Sequence, residues 1–280
     1  MNPEIQLIID RALSEDLQGG DVTTRALIPN DFPGVASFIS EEPGILSGLG
    51  ISMAVFTNVD PSLKVDVFIE ESESVSRGDV LGKVTGSMVN ILSAERTALN
   101  FVRKLSGIAT ETQKFVKAVT PYGTRILDTR KTTPGLRLLE KRAVLAGGGQ
   151  NHRYNLSDGI LIKDNHIEAL RISGLDISEV VTKARTNAPH TLKIEIEVED
   201  LTQVSDALDA GVDVLLLDNM DLSDMRKAVE MCRGRALTEA SGRVSIETVS
   251  QIAQTGVDMI SVGALTHSSK ALDIGLEICV

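Results

Sequence analysis

The chain has 280 residues, of which 42% are hydrophobic and 24% charged, and a formal net charge of −11. This is ample apolar material for a folded core, and the length sets a prior of about two domains. The acidic balance, the absence of Trp and an aromatic content of 3% argue against a nucleic-acid surface of basic patches and stacking rings, and no apolar run approaches the ~18 residues of a membrane span.

The opening "MNPEIQLIIDRALSED" lacks a basic region followed by an apolar stretch and a cleavage site, so a cytoplasmic protein is expected. Cys232 and Cys279 are expected as reduced thiols, and no Cys/His cluster suggests zinc. A helix is predicted from Pro3 to Leu13, then a turn-rich "EDLQGGDVTT" and the strand-like runs "GVASFISEE" and "LKVDVFIEE". "SVSRGDVLGKVTG" reads as a tight turn between strands, with Gly78, Gly82 and Gly86 serving backbone bends; its Gly-Lys pair lacks the spacing of a phosphate loop. From Ser93 to Val119 apolar residues recur at helical spacing, and Gly107 is expected to mark a break or a change of partner.

Beyond Thr124 the rhythm changes to short apolar runs alternating with helical stretches: "RILDTR", "GILIKD", "LKIEIEVE", "VDVLLLD", "RALTEA" and "DMISVG". The segment Leu201 to Ala210 has Asp200 as candidate N-cap and Gly211 as candidate C-cap. Repeated β-α steps predict a parallel sheet, closed or nearly closed as an α/β barrel, with a doubly wound sheet as the rival. The runs end in Asp128, Arg130 and Lys131; Lys163 and Asp164; Glu197; Asp218; Glu239; and Ser261 and Gly263. In a barrel these carboxyl ends form the active-site face, so a site of mixed charge is expected.

"LKIEIEVED" alternates strictly, which puts Ile194, Ile196 and Val198 on one face of a strand and Glu195, Glu197 and Glu199 on the other. Adjacent glutamates there lie roughly 6.6 Å apart and repel by roughly 2.5 kcal/mol at an effective dielectric of ~20. Taken alone, the segment reads as an edge strand with a solvated acidic face.

The stretch "DTRKTTPGLRLLEKRAVLAGGGQNHRYNLSDGILIKDNHI" closely resembles the quinolinate phosphoribosyltransferase family. The resemblance extends to "EDLQGGDVTT", "ERTALNFVRKLSGIAT", "LDNM", "EASG" and "SVGALTH", and so covers essentially the whole chain. It implies an N-terminal α/β domain over residues 1–106, with which the tail 268–280 can also be grouped, followed by an open α/β (TIM-like) barrel over 107–267. It implies transfer of a phosphoribosyl group from 5-phosphoribosyl 1-pyrophosphate to quinolinate, with Mg²⁺ required and carbon dioxide released. It also implies a homodimer in which one subunit's N-terminal domain covers the other's barrel mouth.

By the same resemblance, Arg130, Lys131, His152, Arg153 and Lys163 line the pyridine dicarboxylate and phosphate pocket, and Lys131 joins Glu197 and Asp218 in the catalytic set. For His152 the alternative is a satisfied structural histidine; His166 and His267 have weaker claims. Glu197 and Asp218 are the acidic pair for the ribose and, through water, for Mg²⁺. Glu195 is expected to partner a pocket lysine and Glu199 to reach solvent. Ser241, Gly242, Ser261 and Gly263 are the candidates for the 5-phosphate. Arg243 stands where the family commonly has a small residue such as glycine, with a phosphate contact or solvent as its alternatives. Arg96, in "ERTALN", is implied to cross the dimer interface to a quinolinate carboxylate, against a surface pairing with Glu95.

Three rival readings are a molybdenum-transport-associated relative, which usually lacks the intact "IKDNH" present here, a Schiff-base lyase using Lys163, and a non-catalytic anion-binding module.

Overall fold

The computed structural model describes residues 2–279 and divides the chain into two compact units. One comprises Met1–Gln113, Thr132–Gly148 and Leu265–Val280; the other comprises Lys114–Lys131 and Gly149–Ala264.

The first unit opens with helix α1 (Pro3–Leu17), whose N-cap Asn2 accepts the Glu4 N–H at 2.8 Å and which buries Ile5, Ile8 and Ile9. It runs four residues past the predicted end at Leu13, because nothing between Leu13 and Leu17 breaks a helix. The segment expected to be turn-rich is partly helical, since Asp21 accepts the Thr24 N–H at 2.9 Å and starts α2 (Val22–Leu27). Then follow β1 (Pro33–Ser40), β2 (Gly44–Ile45), α3 (Leu49–Val59), β3 (Lys64–Val67), β4 (Ser74–Val75), β5 (Val80–Ser87) and α4 (Met88–Val119).

Gly107 does not break α4. A Cβ there would lie 1.9 Å from the Lys270 carbonyl oxygen, so the glycine admits the close approach of another backbone and the helix passes straight through it. Gly82 likewise makes room, for Met53 and the Asp66 carbonyl, whereas Gly78 and Gly86 take the positive φ expected of bends.

The second unit carries β6 (Arg125–Leu127); α5 (Arg137–Ala146), next in the chain, belongs to the first. The second continues with β7 (Ile160–Ile162), α6 (Asp164–Arg171), α7 (Ile177–Asn187), β8 (Ile194–Val198), α8 (Leu201–Asp209), β9 (Val214–Asp218), α9 (Leu222–Cys232), β10 (Leu237–Ser241), α10 (Val249–Ala253) and β11 (Met259–Ser261). After α11 (Ala264–His267), β12 (Ile274–Ile278) pairs antiparallel with β1 and completes a four-stranded sheet in the order β12-β1-β5-β3.

All six predicted apolar runs form strands of one parallel sheet, in the order β6-β11-β10-β9-β8-β7. The sheet wraps in chain order from β7 to β11 and then to β6, while β6 and β7 are not hydrogen-bonded neighbours: this is an open α/β barrel. Asp200 caps α8 by accepting the Gln203 N–H at 2.9 Å, and Gly211 follows that helix with φ +74°, as predicted.

β8 is not an edge strand. It pairs with β7 and β9, and Ile194, Ile196 and Val198 are wholly buried on its helix-covered side. Its glutamates face the barrel interior instead of solvent, apart from Glu199, which lies past the strand and is exposed as expected.

Candidate active site

Parallel strands send all their carboxyl ends to one rim, and registered neighbours share a face. Glu195 and Glu197 of β8, Leu216 and Asp218 of β9, Glu239 and Ser241 of β10, and Met259 and Ser261 of β11 therefore share the interior face. Leu127, Val214, Met259 and Leu237 pack together in its apolar core. Asp218 and Ser241 are the last residues of their strands and Glu197 the last but one, which puts them at the rim, with Glu195 and Glu239 deeper.

Backbone pairing explains how two distant motifs meet. Gln150 bridges Leu127, and its carbonyl accepts the Asp128 N–H at 3.1 Å, which lays "QNHR" beside "DTRK". Asp128, fully buried, then accepts the His152 N–H at 2.9 Å. Arg130 and Arg153 come close enough for each charge to act on the other. Burial and then the Arg130 charge push the Arg153 guanidinium below its ordinary value, against the pull of Glu195. Crowded cations of this kind favour an anionic ligand. Lys131 is exposed at the end of the same segment, its N–H held by Thr129 Oγ1 at 3.0 Å.

Lys163 follows β7 and caps α6; its N–H is accepted by His166 Nδ1 at 2.9 Å, so His166 shapes the backbone under this lysine. Lys163 Nζ lies 3.8 Å from Glu197 Oε2. Burial raises the Glu197 carboxyl above its ordinary value; the Lys163 charge opposes the rise, and Asp218, Asp164 and Glu199 add to it. Asp218 Oδ2 accepts a hydrogen bond from the Asn219 side chain at 2.6 Å.

The loops after β9 and β10 are held in left-handed conformations at Asn219 (φ +52°), Gly242 (φ +95°) and Arg243 (φ +46°). At Gly242 a Cβ would sit 2.3 Å from Asn219 Oδ1, so only glycine fits. Arg243 is exposed and keeps the backbone conformation that a glycine would adopt more easily.

One expectation is corrected. Glu195 partners a histidine and, among the described residues, no lysine: His152 Nε2 lies 3.2 Å from Glu195 Oε2 and 3.5 Å from Glu239 Oε2. His152 Nδ1 accepts the Arg153 N–H at 2.7 Å, and its Nε2 faces the two carboxylates. Ser261, the last residue of β11, is buried, and its side chain opposes the upward push on the Glu239 carboxyl. Gly263 and Ser241 remain partly accessible. His267 is exposed and engages Ser268 Oγ at 2.6 Å.

Glu239 is the residue whose role the sequence did not disclose. Burial and the neighbouring Glu195 charge push its carboxyl up to about 7, against the influence of His152 and Ser261. Its place at the end of "RALTE" marked it as a polar strand residue, but its partners come from other strands and a loop.

Arg96 lies in the first unit, exposed on α4, and forms no ion pair among the described residues; the surface pairing with Glu95 is not formed. With Arg11, Glu15, Asp16 and Lys104 it borders a cavity of about 490 Å³ within that unit.

An open α/β barrel that brings Arg130, Arg153, Lys163 and carboxylates to one rim has the layout of an active site for small charged ligands. The model of the quinolinate phosphoribosyl transferase C-terminal domain matches residues 108–277, and that of the N-terminal domain matches residues 21–106. The chain belongs to the quinolinate phosphoribosyltransferase family. It is 44% identical over 291 residues to quinolinate phosphoribosyltransferase (decarboxylating) 2b, mitochondrial, of Nicotiana tabacum, with 98% of this chain and 82% of that protein covered. Among solved structures it resembles the nicotinate-nucleotide pyrophosphorylase of Francisella tularensis (TM-score 0.93, 37% identity, 100% of this chain and 97% of that one). It also resembles NadC of Streptococcus pyogenes (TM-score 0.94, 38% identity, 100% and 99%).

Proposed function

We infer that the barrel mouth transfers the phosphoribosyl group of 5-phosphoribosyl 1-pyrophosphate to the ring nitrogen of quinolinate, giving nicotinate mononucleotide, pyrophosphate and carbon dioxide. Family membership supports the reaction. The observation that ties it to this site is the distribution of charge: Arg130 and Arg153 crowd each other at the rim where Lys163 faces Glu197 and Glu197 feels Asp218. Cations suit the two polyanionic substrates, and carboxylates suit the sugar that becomes positive between them.

Arg130 and Arg153 present forked donors matched to carboxylates, while Lys131 and Lys163 act as adaptable point charges toward phosphate and carboxylate oxygens. Arg96 supplies a further carboxylate contact from the partner subunit of a homodimer. Ser241, Gly242, Ser261 and Gly263 lie at the strand ends whose backbone N–H groups receive the 5-phosphate. As pyrophosphate departs, the ribosyl carbon gains oxocarbenium character, which Glu197 and Asp218 stabilise from beside the ribose hydroxyls. The pyridine nitrogen forms the new bond to that carbon. The adjacent carboxylate then leaves as carbon dioxide, its bonding electrons pass into the pyridinium ring, and the ring carbon takes a proton. Positioning and charge therefore suffice, with no covalent nucleophile.

Mg²⁺ fits this mouth. The repulsion that helps raise the Glu197 carboxyl beside Asp218 is relieved by a divalent cation, and both are hard oxygen donors able to hold it through water. When bound, the ion supplies neutralising charge to the pyrophosphate. We also place the protein in the cytoplasm; its two free cysteines support this, cell fractionation tests it, and no described helix is long and apolar enough to cross a membrane.

The test is to incubate the purified protein with quinolinate, the ribosyl donor and Mg²⁺ and to follow nicotinate mononucleotide and carbon dioxide. Quinolinate should greatly exceed nicotinate in kcat/KM, because a pocket built for two carboxylates leaves buried charge unpaired when one is missing. Absence of product, or equal use of the two acids, overturns the reading.

A further inference from the structure

Beneath the rim, His152, Glu195 and Glu239 stand with one donor atom each within 4.8 Å of one another. Glu239 is 1% exposed and Glu195 9%. Two chemistries suit such a cluster: a metal held by one imidazole and two carboxylates, or a hydrogen-bonded anchor. The ring's other nitrogen decides between them. Burial disfavours the charged ring, but the Glu195 hydrogen bond and the Glu239 and Glu195 charges outweigh it and raise its pKa above the ordinary value; in the neutral ring, an Nδ1 that accepts the Arg153 backbone N–H at 2.7 Å leaves the hydrogen on Nε2. A protonated Nε2 has no lone pair for a metal. It has a hydrogen directed at two carboxylate oxygens, 3.2 and 3.5 Å away.

We propose that Glu195 and Glu239 are positioning residues: through the Nε2–H of His152 they fix the ring so that its Nδ1 holds the backbone of Arg153, and hence aims that guanidinium at a substrate carboxylate. His152 is then a strut, with both ring nitrogens engaged by the protein. The chain of contacts is continuous. Asp128 holds the backbone of His152 at 2.9 Å, the two glutamates hold its ring, and the ring holds the next residue. Ser261 also acts on Glu239, but His152 is the group that faces both glutamates. This proposal rests on the reading of Arg153 as a ligand of quinolinate.

The test combines a spectroscopic measurement on the intact protein with kinetics. With ¹⁵N-labelled histidine, His152 at about pH 8 should show the neutral tautomer protonated at Nε2, and added Zn²⁺ or Mn²⁺ should leave its Nε2 resonance unmoved. Loss of the Glu239 carboxylate in Glu239→Leu should raise KM for quinolinate about ten- to a hundredfold, with KM for the ribosyl donor nearly unchanged. Glu239→Gln, whose amide oxygen still accepts from Nε2–H, should restore most of the affinity. A ring protonated at Nδ1, a metal-induced shift at Nε2, or a soluble, folded Glu239→Leu with ordinary KM for quinolinate overturns the proposal. If Glu239→Leu fails to fold, Glu239→Gln and the tautomer still decide it. Failure of the catalytic reading is a separate result: the unaltered protein would form no nicotinate mononucleotide, whatever tautomer His152 shows.

Discussion

Lys163 Nζ stands 3.8 Å from Glu197 Oε2, too far for a tight ion pair and near enough for its charge to lower the proton affinity of a carboxyl that burial raises. The sign of the pH dependence follows. A Glu whose pKa is raised above its ordinary 4.5 takes up a proton at a higher pH than an exposed one, and once protonated it cannot stabilise positive charge on the ribose. Activity should fall on the acid side at a pH above that of an unperturbed glutamate. Replacing Lys163 by Met removes the opposing charge, so the Glu197 titration followed by carboxyl ¹³C NMR should move further up. A downward or absent movement would show that the two groups are not coupled. For stability the same shift is a cost of the ionised form: absent at low pH, it grows as pH rises through the raised pKa.

Gly242 and Arg243 are consecutive left-handed residues with opposite expectations. Gly242→Ala places a Cβ 2.3 Å from Asn219 Oδ1 at φ +95°, so it should lose about 1–3 kcal/mol of stability and weaken binding of the ribosyl donor. Arg243→Gly relieves a non-glycine residue at φ +46° and should gain about 0.5–1 kcal/mol, less than the full left-handed penalty because the unfolded chain also becomes freer. Thermal denaturation checks both. Destabilisation by Arg243→Gly would mean that the side chain makes a contact worth more than the strain.

Glu140 of α5 is fully buried, accepts the Thr133 N–H at 3.0 Å, and lies 3.1 Å from Lys104 Nζ without hydrogen-bond alignment. Glu140→Ala should cost about 2–4 kcal/mol in urea unfolding, since it leaves a buried N–H without its acceptor and a cation without its partner. Glu140→Gln, which keeps the acceptor and loses the charge, should cost less. Equal losses would assign the whole effect to the ion pair.

Much of this architecture was legible in the sequence because it depends on local rules. The six barrel strands announced themselves by apolar runs ending in polar residues, and α8 by Asp200 before it and Gly211 after it. What was not legible depended on partners distant in the chain. An alternating acidic strand looks solvated until both its neighbours are known, and β8 has two. Gly107 looks like a helix breaker until the Lys270 carbonyl is seen against it. The contacts of His152, with Arg153 through one ring nitrogen and with a pair of glutamates through the other, join residues that no spacing in the sequence pairs.

Arg96 carries the last prediction. It is exposed on α4 and forms no ion pair among the described residues, although Glu15 and Asp16 border the same cavity. An exposed pairing would in any case have contributed little, so its absence costs little and leaves the guanidinium available. Two polyanionic substrates must bind a chain of net charge −11, and a cation supplied by a second subunit eases that binding. In a C₂ dimer each subunit would complete the other's site reciprocally. Subunits carrying Arg96→Ala and subunits carrying Lys131→Ala should each be nearly inactive alone. Mixed, they form dimers in which one site receives both lesions and the other neither, so a mixed dimer should recover about half the activity of the unaltered dimer. Exchange of subunits is verified by mass-tagging one partner. If exchange occurs and activity stays at the level of the separate variants, Arg96 does not serve the partner's site.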